Sequence, residues 1–291
     1  MSAQAALLSD GRLHLQHGPI DCLCRAEGLA EEIRRAYAQA VEAFPAILPA
    51  LCAELPLLRT RLPAPLPNAV VGRAMHRACL PYAERFITPM AAVAGAVADH
   101  LLAALVRGRR LRRAFVNNGG DIAFHLAPGE RLRCGMVTDL AAPAIDAALR
   151  LDAGLPARGV ATSGRACKGR GGRSFSLGIA DAVTVLAPTA AEADAAATVI
   201  ANAVDLPAHP SVARRPAIAI DPDSDLGAIA VTWTVGPLAS GEIDRALAAG
   251  HRVADHLVHD GRILAAALAL RGRMMLAGGA SEGALQMENV V

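Results

Sequence analysis

From residue 112 the chain breaks into short apolar or alternating runs separated by Gly, Asn or Pro: RRAFVNN, GDIAFHLA, ERLRCGMV, IDAALRLD, RGVATS and DAVTVLA. None of these runs is long enough for a stable helix. Their length and bounding residues predict strands of an antiparallel or mixed sheet. Upstream the texture is helical. GLAEEIRRAYAQAVEAF has apolar residues at helical spacing behind an acidic first turn, and FITPMAAVAGAVADHLLAALV is one long apolar window with Pro89 near its start. Pro89, Asp99 and His100 interrupt that window, so it reads as a buried helix and not as a membrane span. Helices flanking a run of strands define an α+β chain of mixed or antiparallel sheets.

Further elements follow from local signals. RLHLQHGPIDCLCRA, residues 12–26, reads as two strands around the turn HGPI. PLLRTRLPAPLPN, residues 56–68, holds four prolines and reads as a stiff connector. Thr189 and Glu192 have capping-box spacing and place a helix start at Thr189. SGEIDRALAAGHRVADHLVHDG reads as a helix ended by Gly261, and GRILAAALALRG as a further strand. Residues 1–70 form an N-terminal strand pair, helix and connector, either a separate module or a part that completes the domain of 71–291.

Composition narrows the function classes. Only 3% of residues are aromatic while 53% are hydrophobic, so the core is built from Ala, Val, Leu and Ile. The net charge of +2 is too balanced to point to nucleic acid or an anionic membrane. Six cysteines are scattered without zinc-ligand spacing and read as small buried hydrophobes; Cys22 and Cys24 share one face of a strand. The N-terminus does not read as a signal peptide, and a cytoplasmic protein is expected. Histidines at 14, 17, 76, 251, 256 and 259 show no metalloprotease spacing, and no G-x-S-x-G elbow is present.

Four constellations could carry chemistry. ATSGRACKGRGGRSF, residues 161–175, contains the only lysine, Lys168, beside Arg170, Arg173 and several glycines, with Ser163 and Ser174 at its ends. Backbone N–H groups and cations so arranged suit a phosphate or pyrophosphate, although a solvated surface loop has the same composition. Asp194 and Thr198 lie one turn apart on the helix that Thr189 caps and could hold Mg2+, or be an ordinary helix-face pair. Asn117-Asn118-Gly119-Gly120-Asp121 signals a tight turn that could also present backbone amides to a ligand. Asp221-Pro222-Asp223-Ser224-Asp225-Leu226-Gly227 reads as an exposed acidic turn, with its glycine one place late for a calcium loop.

The order of these segments resembles the ApbE-like superfamily, whose best-known members transfer FMN from FAD to a protein threonine using Mg2+. The segments that carry the resemblance are AVAGAVAD (92–99), NNGGDIA (117–123), ATSG (161–164), DAVTVLAPTAAEAD (181–194) and ADAAAT (193–198), spanning about residues 85–205. The resemblance implies an ApbE-like fold, a Mg2+ site at Asp194 and Thr198, and a phosphorylated ligand such as FAD, FMN or another nucleotide. Around that ligand it sets Gly95, Asn117, Gly119, Gly120, Asp121, Thr162, Ser163, Gly164, Lys168, Arg170, Arg173 and Ser174. Two departures stand out. Ala94 occupies the place of the lysine in A-K-G, although Gly95 and Asp99 match, and RSFSLGIAD lacks the histidine that follows A-T-S-G in the transferases. The chain therefore resembles a divergent branch. Either it is a transferase with altered chemistry, or it is a ligand-binding or scaffold protein, with a protein partner or a homodimer as its assembly.

Overall fold

The structure, a computed structural model, describes residues 2–136, 147–164 and 175–278. It divides into two compact units. The first comprises residues up to Arg133 with Arg150–Ala161 and Ala187–Ala195; the second takes the described residues of 134–149, 162–186 and 196–278.

In the first unit β1 (Gln4–Leu7), β2 (Leu13–His17) and β3 (Ile20–Gly28) form an antiparallel meander. Burial alternates along β2 and β3, so Leu13, Leu15, Ile20, Cys22, Cys24 and Ala26 face inward. Burial pushes the Cys24 thiol up to about 12 and raises Cys22 as well, so both are inert apolar filler. The helix α1 (Ala30–Ala43) is pinned to this sheet by Tyr37. Its hydroxyl donates to Gly11 O at 2.9 Å and accepts the Ala26 N–H at 3.2 Å.

Two short helices, α2 (Ile47–Ala53) and α3 (Leu55–Leu58), precede α4 (Val70–Cys79). The stretch 56–68 was expected to be connector throughout, but its first residues finish α3. Proline is tolerated in a first helical turn, where its missing N–H has no intrahelical partner. A 3-10 turn at Pro89–Ala92 leads into α5 (Val93–Val106). Pro89–Val106 and Ala30–Ala53 are both long and apolar enough to cross a membrane. The former lies against α1 and against β4 (Leu111–Asn118) and β5 (Asp121–Leu126), with Gly95, Ala96, Val97, Ala98, Leu101, Ala104 and Leu105 buried. It is the unit's core helix.

β3 pairs with β4 and β4 with β5, all antiparallel. β6 (Arg131–Met136) and β7 (Ala147–Asp152) form a separate two-stranded sheet. β8 (Gly159–Ser163) adds to β5 antiparallel, through Ile122↔Val160 and Ala123↔Gly159.

In the second unit β9 (Ala182–Ala187), β12 (Ala265–Leu270) and β13 (Arg273–Gly278) form consecutive antiparallel ladders. β9 and β12 are buried on both faces, which is why they read as unbroken apolar runs. The helix α7 (Ser240–His259) packs on β12 and β13. β10 (Val212–Pro216) and β11 (Ala230–Val235) make a two-stranded sheet with a bulge at Ala213/Arg214. The helix α6 (Ala190–Ala203) begins immediately after Thr189, at the expected place.

Candidate functional site

The site is built on the starts of α5 and α6. Four N–H groups at a helix start have no intrahelical partner, and the helix dipole favours negative charge there. Neither α5 nor α6 relies on a cap from its own element alone. Asp99, nearly two turns into α5, accepts the N–H groups of Ala190 at 3.0 Å and Ala191 at 2.9 Å, the first two residues of α6. Asp194, one turn into α6, accepts the N–H of Gly95 in the first turn of α5 at 3.1 Å. Two helices thus cap each other with aspartates 95 positions apart in sequence.

This reciprocity requires backbone contact. A Cβ on Gly95 would fall on the carbonyl of Ala190, and one on Gly159 would fall on the Thr189–Ala190 peptide. Glycine is therefore required at both positions by close approach, since neither has positive φ. Thr189 supplies a local cap as well. Its hydroxyl accepts the Glu192 N–H at 3.2 Å and donates to the Glu192 carboxylate at 3.0 Å.

The surroundings set the charge state. Desolvation raises the Asp99 carboxyl to about 6 despite its two N–H bonds, with the Glu192 charge adding to the shift. Desolvation raises Asp194 to about 7 against the N–H bonds of Gly95 and Ala94, and the Asp99 charge adds to that. Burial, with a contribution from the Asp194 charge, also pushes the nearby Cys79 thiol well up, so it stays neutral. The Asp99 charge thus disfavours ionisation of Asp194, while Glu192 is the charge that acts on Asp99.

The turn NNGGD is the β4–β5 hairpin. The two central residues are Gly119 and Gly120, at φ 65° and 109°, flanked by the pair Asn118↔Asp121. Asn117 Oδ1 accepts the Gly120 N–H at 2.9 Å, so Asn117 shapes the turn. Asn118, buried, reaches across to α5 and donates Nδ2 to Ala94 O at 3.1 Å. Asp121 is also buried, while the space beside Gly119 and Gly120 is open.

Thr162 shares a 2.9 Å hydroxyl–hydroxyl hydrogen bond with Thr184. Ser163 ends β8, and Gly164, at φ 132°, lies so close to the Asp181 carbonyl that a Cβ would sit 2.6 Å from it. Lys168, Arg170, Arg173 and Ser174 lie outside the described residues. Asp194 and Thr198 are both half-buried, one turn apart on α6.

No group of three or more His, Cys, Asp or Glu able to hold a metal occurs among the described residues. The donors that Asp194 and Thr198 offer are hard oxygens, one carboxylate and one hydroxyl. That set does not suit zinc. It does suit magnesium, which takes one or two carboxylates and completes its shell with water or phosphate oxygens. The feature missing from the expected site was the capping role of Asp99. Its match to the A-K-G-x-x-x-D pattern marked the residue, but the contact across 91 positions was invisible locally.

A family model described as AbpE bacteria matches residues 5–276. The UPF0280 protein of Methanothermobacter thermautotrophicus is 39% identical over 121 residues, 42% of this chain and 44% of that protein. The UPF0280 protein of Methanothrix thermoacetophila is 36% identical over 151 residues, covering 52% and 59%. The chain spans about half the length of the curated relatives it matches. Among solved structures, the ApbE protein of Thermotoga maritima is 14% identical with a TM-score of 0.38, over 90% of this chain and 80% of that one. The flavin transferase ApbE of Vibrio cholerae is 13% identical with a TM-score of 0.38, over 98% and 100%.

Proposed function

Because the chain belongs to the AbpE bacteria family, we propose that it binds a phosphorylated ligand, a flavin or another nucleotide, together with Mg2+. The observation that carries this reading is the Asp194 carboxylate. It is desolvated, held by the N–H of Gly95, and followed one turn later by the Thr198 hydroxyl. Asp194 and Thr198 would hold the ion, which, when bound, neutralises phosphate charge and polarises a phosphoryl oxygen. Asp99 fixes the start of α6 and so the direction in which Asp194 points.

The amides of Gly119 and Gly120, with open space beside them, would meet the ligand at close range. Lys168, Arg170 and Arg173, which lie outside the described residues, would supply cations of the kind a diphosphate needs. The reaction class is phosphoryl or nucleotidyl transfer, with FMN transfer from FAD as its nearest form. Ala94 and RSFSLGIAD remove a lysine and a histidine from that chemistry. A second reading rests on Ala94. Here no side-chain cation is available, only a carbonyl already engaged by Asn118, which suits a ligand-binding protein that has lost transfer.

The test is thermal shift and calorimetry with FAD, FMN, ADP and ATP, each with and without Mg2+. A bound ligand stabilises by about 2.7 kcal/mol at a hundredfold excess over its dissociation constant. Mg2+-dependent binding that disappears in Asp194→Asn is expected, since that variant keeps an acceptor for the Gly95 N–H but loses the charge. No binding of any of the four, in either condition, would refute the reading. Release of AMP from FAD separates the transferase from the binding protein.

A further inference from the structure

We propose that this chain docks onto a second copy of itself, through an arginine face of the first unit that receives the acidic turn 221–225 of the other copy. Residues 59–85 hold five arginines, at 59, 61, 73, 77 and 85, against a single carboxylate, Glu84. The fold gathers them. Leu62 N bonds Ile87 O at 3.0 Å, the Arg61 guanidinium lies over the Phe86 ring at 5.9 Å, and His76 Nε2 meets Ala64 O at 2.8 Å. One segment and the helix α4 thereby share a surface.

These arginines contrast with the ion-paired arginines of their unit. Arg12, Arg34, Arg35, Arg109, Arg113 and Arg131 each form an ion pair with a neighbouring carboxylate. None of the five does so with any described residue; Arg73 donates to Asn68 O instead. Arg61, Arg77 and Arg85 are exposed, and among them stand Leu66, Val70 and Leu80, exposed at 49%, 60% and 44%. Unpaired guanidiniums with scattered apolar side chains suit a carboxylate-bearing protein segment, because the planar fork binds carboxylates in two-pronged fashion. A bilayer is a poorer match. The apolar side of α4, with Val71, Met75, Ala78 and Cys79, is already buried inside the unit and leaves no face to insert.

The complement is on the same chain. Asp221, Asp223 and Asp225 alternate in one turn, which the Asp221 carboxylate shapes by accepting the Asp223 N–H at 3.0 Å. Pro222 and Asp223 are exposed, and Ile218 beside them is 51% exposed. Neither Asp221 nor Asp223 has an ion-pair partner among the described residues. Two different surfaces meeting make a heterologous contact, which mixing complementary variants can test.

The test is the mass of the full chain by sedimentation as salt rises from about 50 mM to about 500 mM, because exposed charge pairs weaken with screening. Association at low salt that falls with salt is expected. Arg77→Glu with Arg85→Glu, and separately Asp221→Lys with Asp223→Lys, should each weaken association at least tenfold while circular dichroism stays unchanged. Mixing the two variants should restore association, since each keeps one intact face. A monomer at every salt concentration, association indifferent to both variants, or no restoration on mixing overturns the proposal. So does a monomer whose arginine face binds anionic vesicles, which would reassign that face to lipid.

Discussion

The starts of α6 and α7 meet the same need in two ways. At α7 the answer is local and solvated. Glu242 turns back to accept the Ala239 N–H at 2.7 Å, and its other oxygen meets His209 Nε2 at 2.9 Å. The His209 hydrogen bond, then the N–H of Ala239, hold this carboxyl below its ordinary value. At α6 the main acceptor comes from 91 positions away, and its carboxyl is raised because the neighbourhood excludes water. In both places a carboxylate accepts backbone N–H groups at a helix start; the difference in desolvation reverses the direction of its shift. A solvated cap stabilises a helix. A desolvated one ties two helices together.

The largest effect that could break this contrast lies in the glycines. Gly95 in α5 and Gly241 in α7 both occupy a first helical turn, yet a Cβ meets backbone at the first and nothing within 4 Å at the second. Gly95→Ala and Gly159→Ala are expected to cost about 3 kcal/mol or more in denaturant unfolding, because a backbone atom cannot yield as a side chain can. Gly241→Ala should be neutral or slightly stabilising, by up to about 1 kcal/mol, through helix propensity. Equal costs at the two helix starts would show that the close approach at α5 is not tight.

The next effect separates the caps themselves. Asp99→Ala leaves two N–H groups of α6 without their acceptor and should cost about 1–2 kcal/mol, with Asp99→Asn falling between it and the parent. Glu242→Gln should barely move the melting temperature, since glutamine keeps an oxygen that can accept the Ala239 N–H.

This contrast also marks what could be read from the sequence. The hairpin at Gly119-Gly120, the start of α6 at Thr189 and the strands β4 to β9 were legible because their signals lie within a few residues of the structure they specify. β1 was not, since all four of its residues are exposed and no alternation is written into them. β13 was missed because its hairpin turns through Arg271 at φ 51°, a conformation that arginine does not advertise. α4 and its cap were hidden for the same reason as the α5–α6 pair. Glu54 accepts the N–H groups of Asn68 and Ala69 at 2.6 and 2.8 Å, a contact across 14 and 15 positions. Of the candidate site, the residue types at 95, 99, 194 and 198 were visible as a pattern, but the hydrogen bonds of Asp194 to Gly95 and of Asp99 to Ala190 and Ala191 were not. The basic half of the expected phosphate cradle, Lys168 to Ser174, falls outside the described residues.

pH sharpens the comparison by sign. Asp99 and Asp194 rise from 3.8 to about 6 and about 7 on folding. The folded chain then holds protons that the unfolded chain has released, so stability should fall as pH rises from about 4 to about 7. Glu242 is lowered on folding, so its contribution is present above its unfolded value of 4.5 and is lost as pH falls through its folded one. Melting temperatures across this range should slope downward in the parent and flatten in Asp194→Asn. Added Mg2+ should lift the alkaline end if the ion occupies the site. An unchanged slope in the variant would remove Asp194 as its source.

The smallest effect tests whether α6 has one cap or two. Thr189 is exposed and serves the Glu192 N–H, whereas Asp99 serves Ala190 and Ala191. Thr189→Ala should cost about 0.5–1 kcal/mol, and Thr189→Ser less, because serine keeps the hydroxyl. The two caps satisfy different donors, so the costs of Thr189→Ala and Asp99→Ala should add to within about 0.5 kcal/mol. A larger coupling would mean that the solvated threonine and the desolvated aspartate hold the helix start as a single unit. In that case the local cap would itself help aim Asp194, and the line drawn between a solvated and a desolvated helix start would no longer divide α7 from α6.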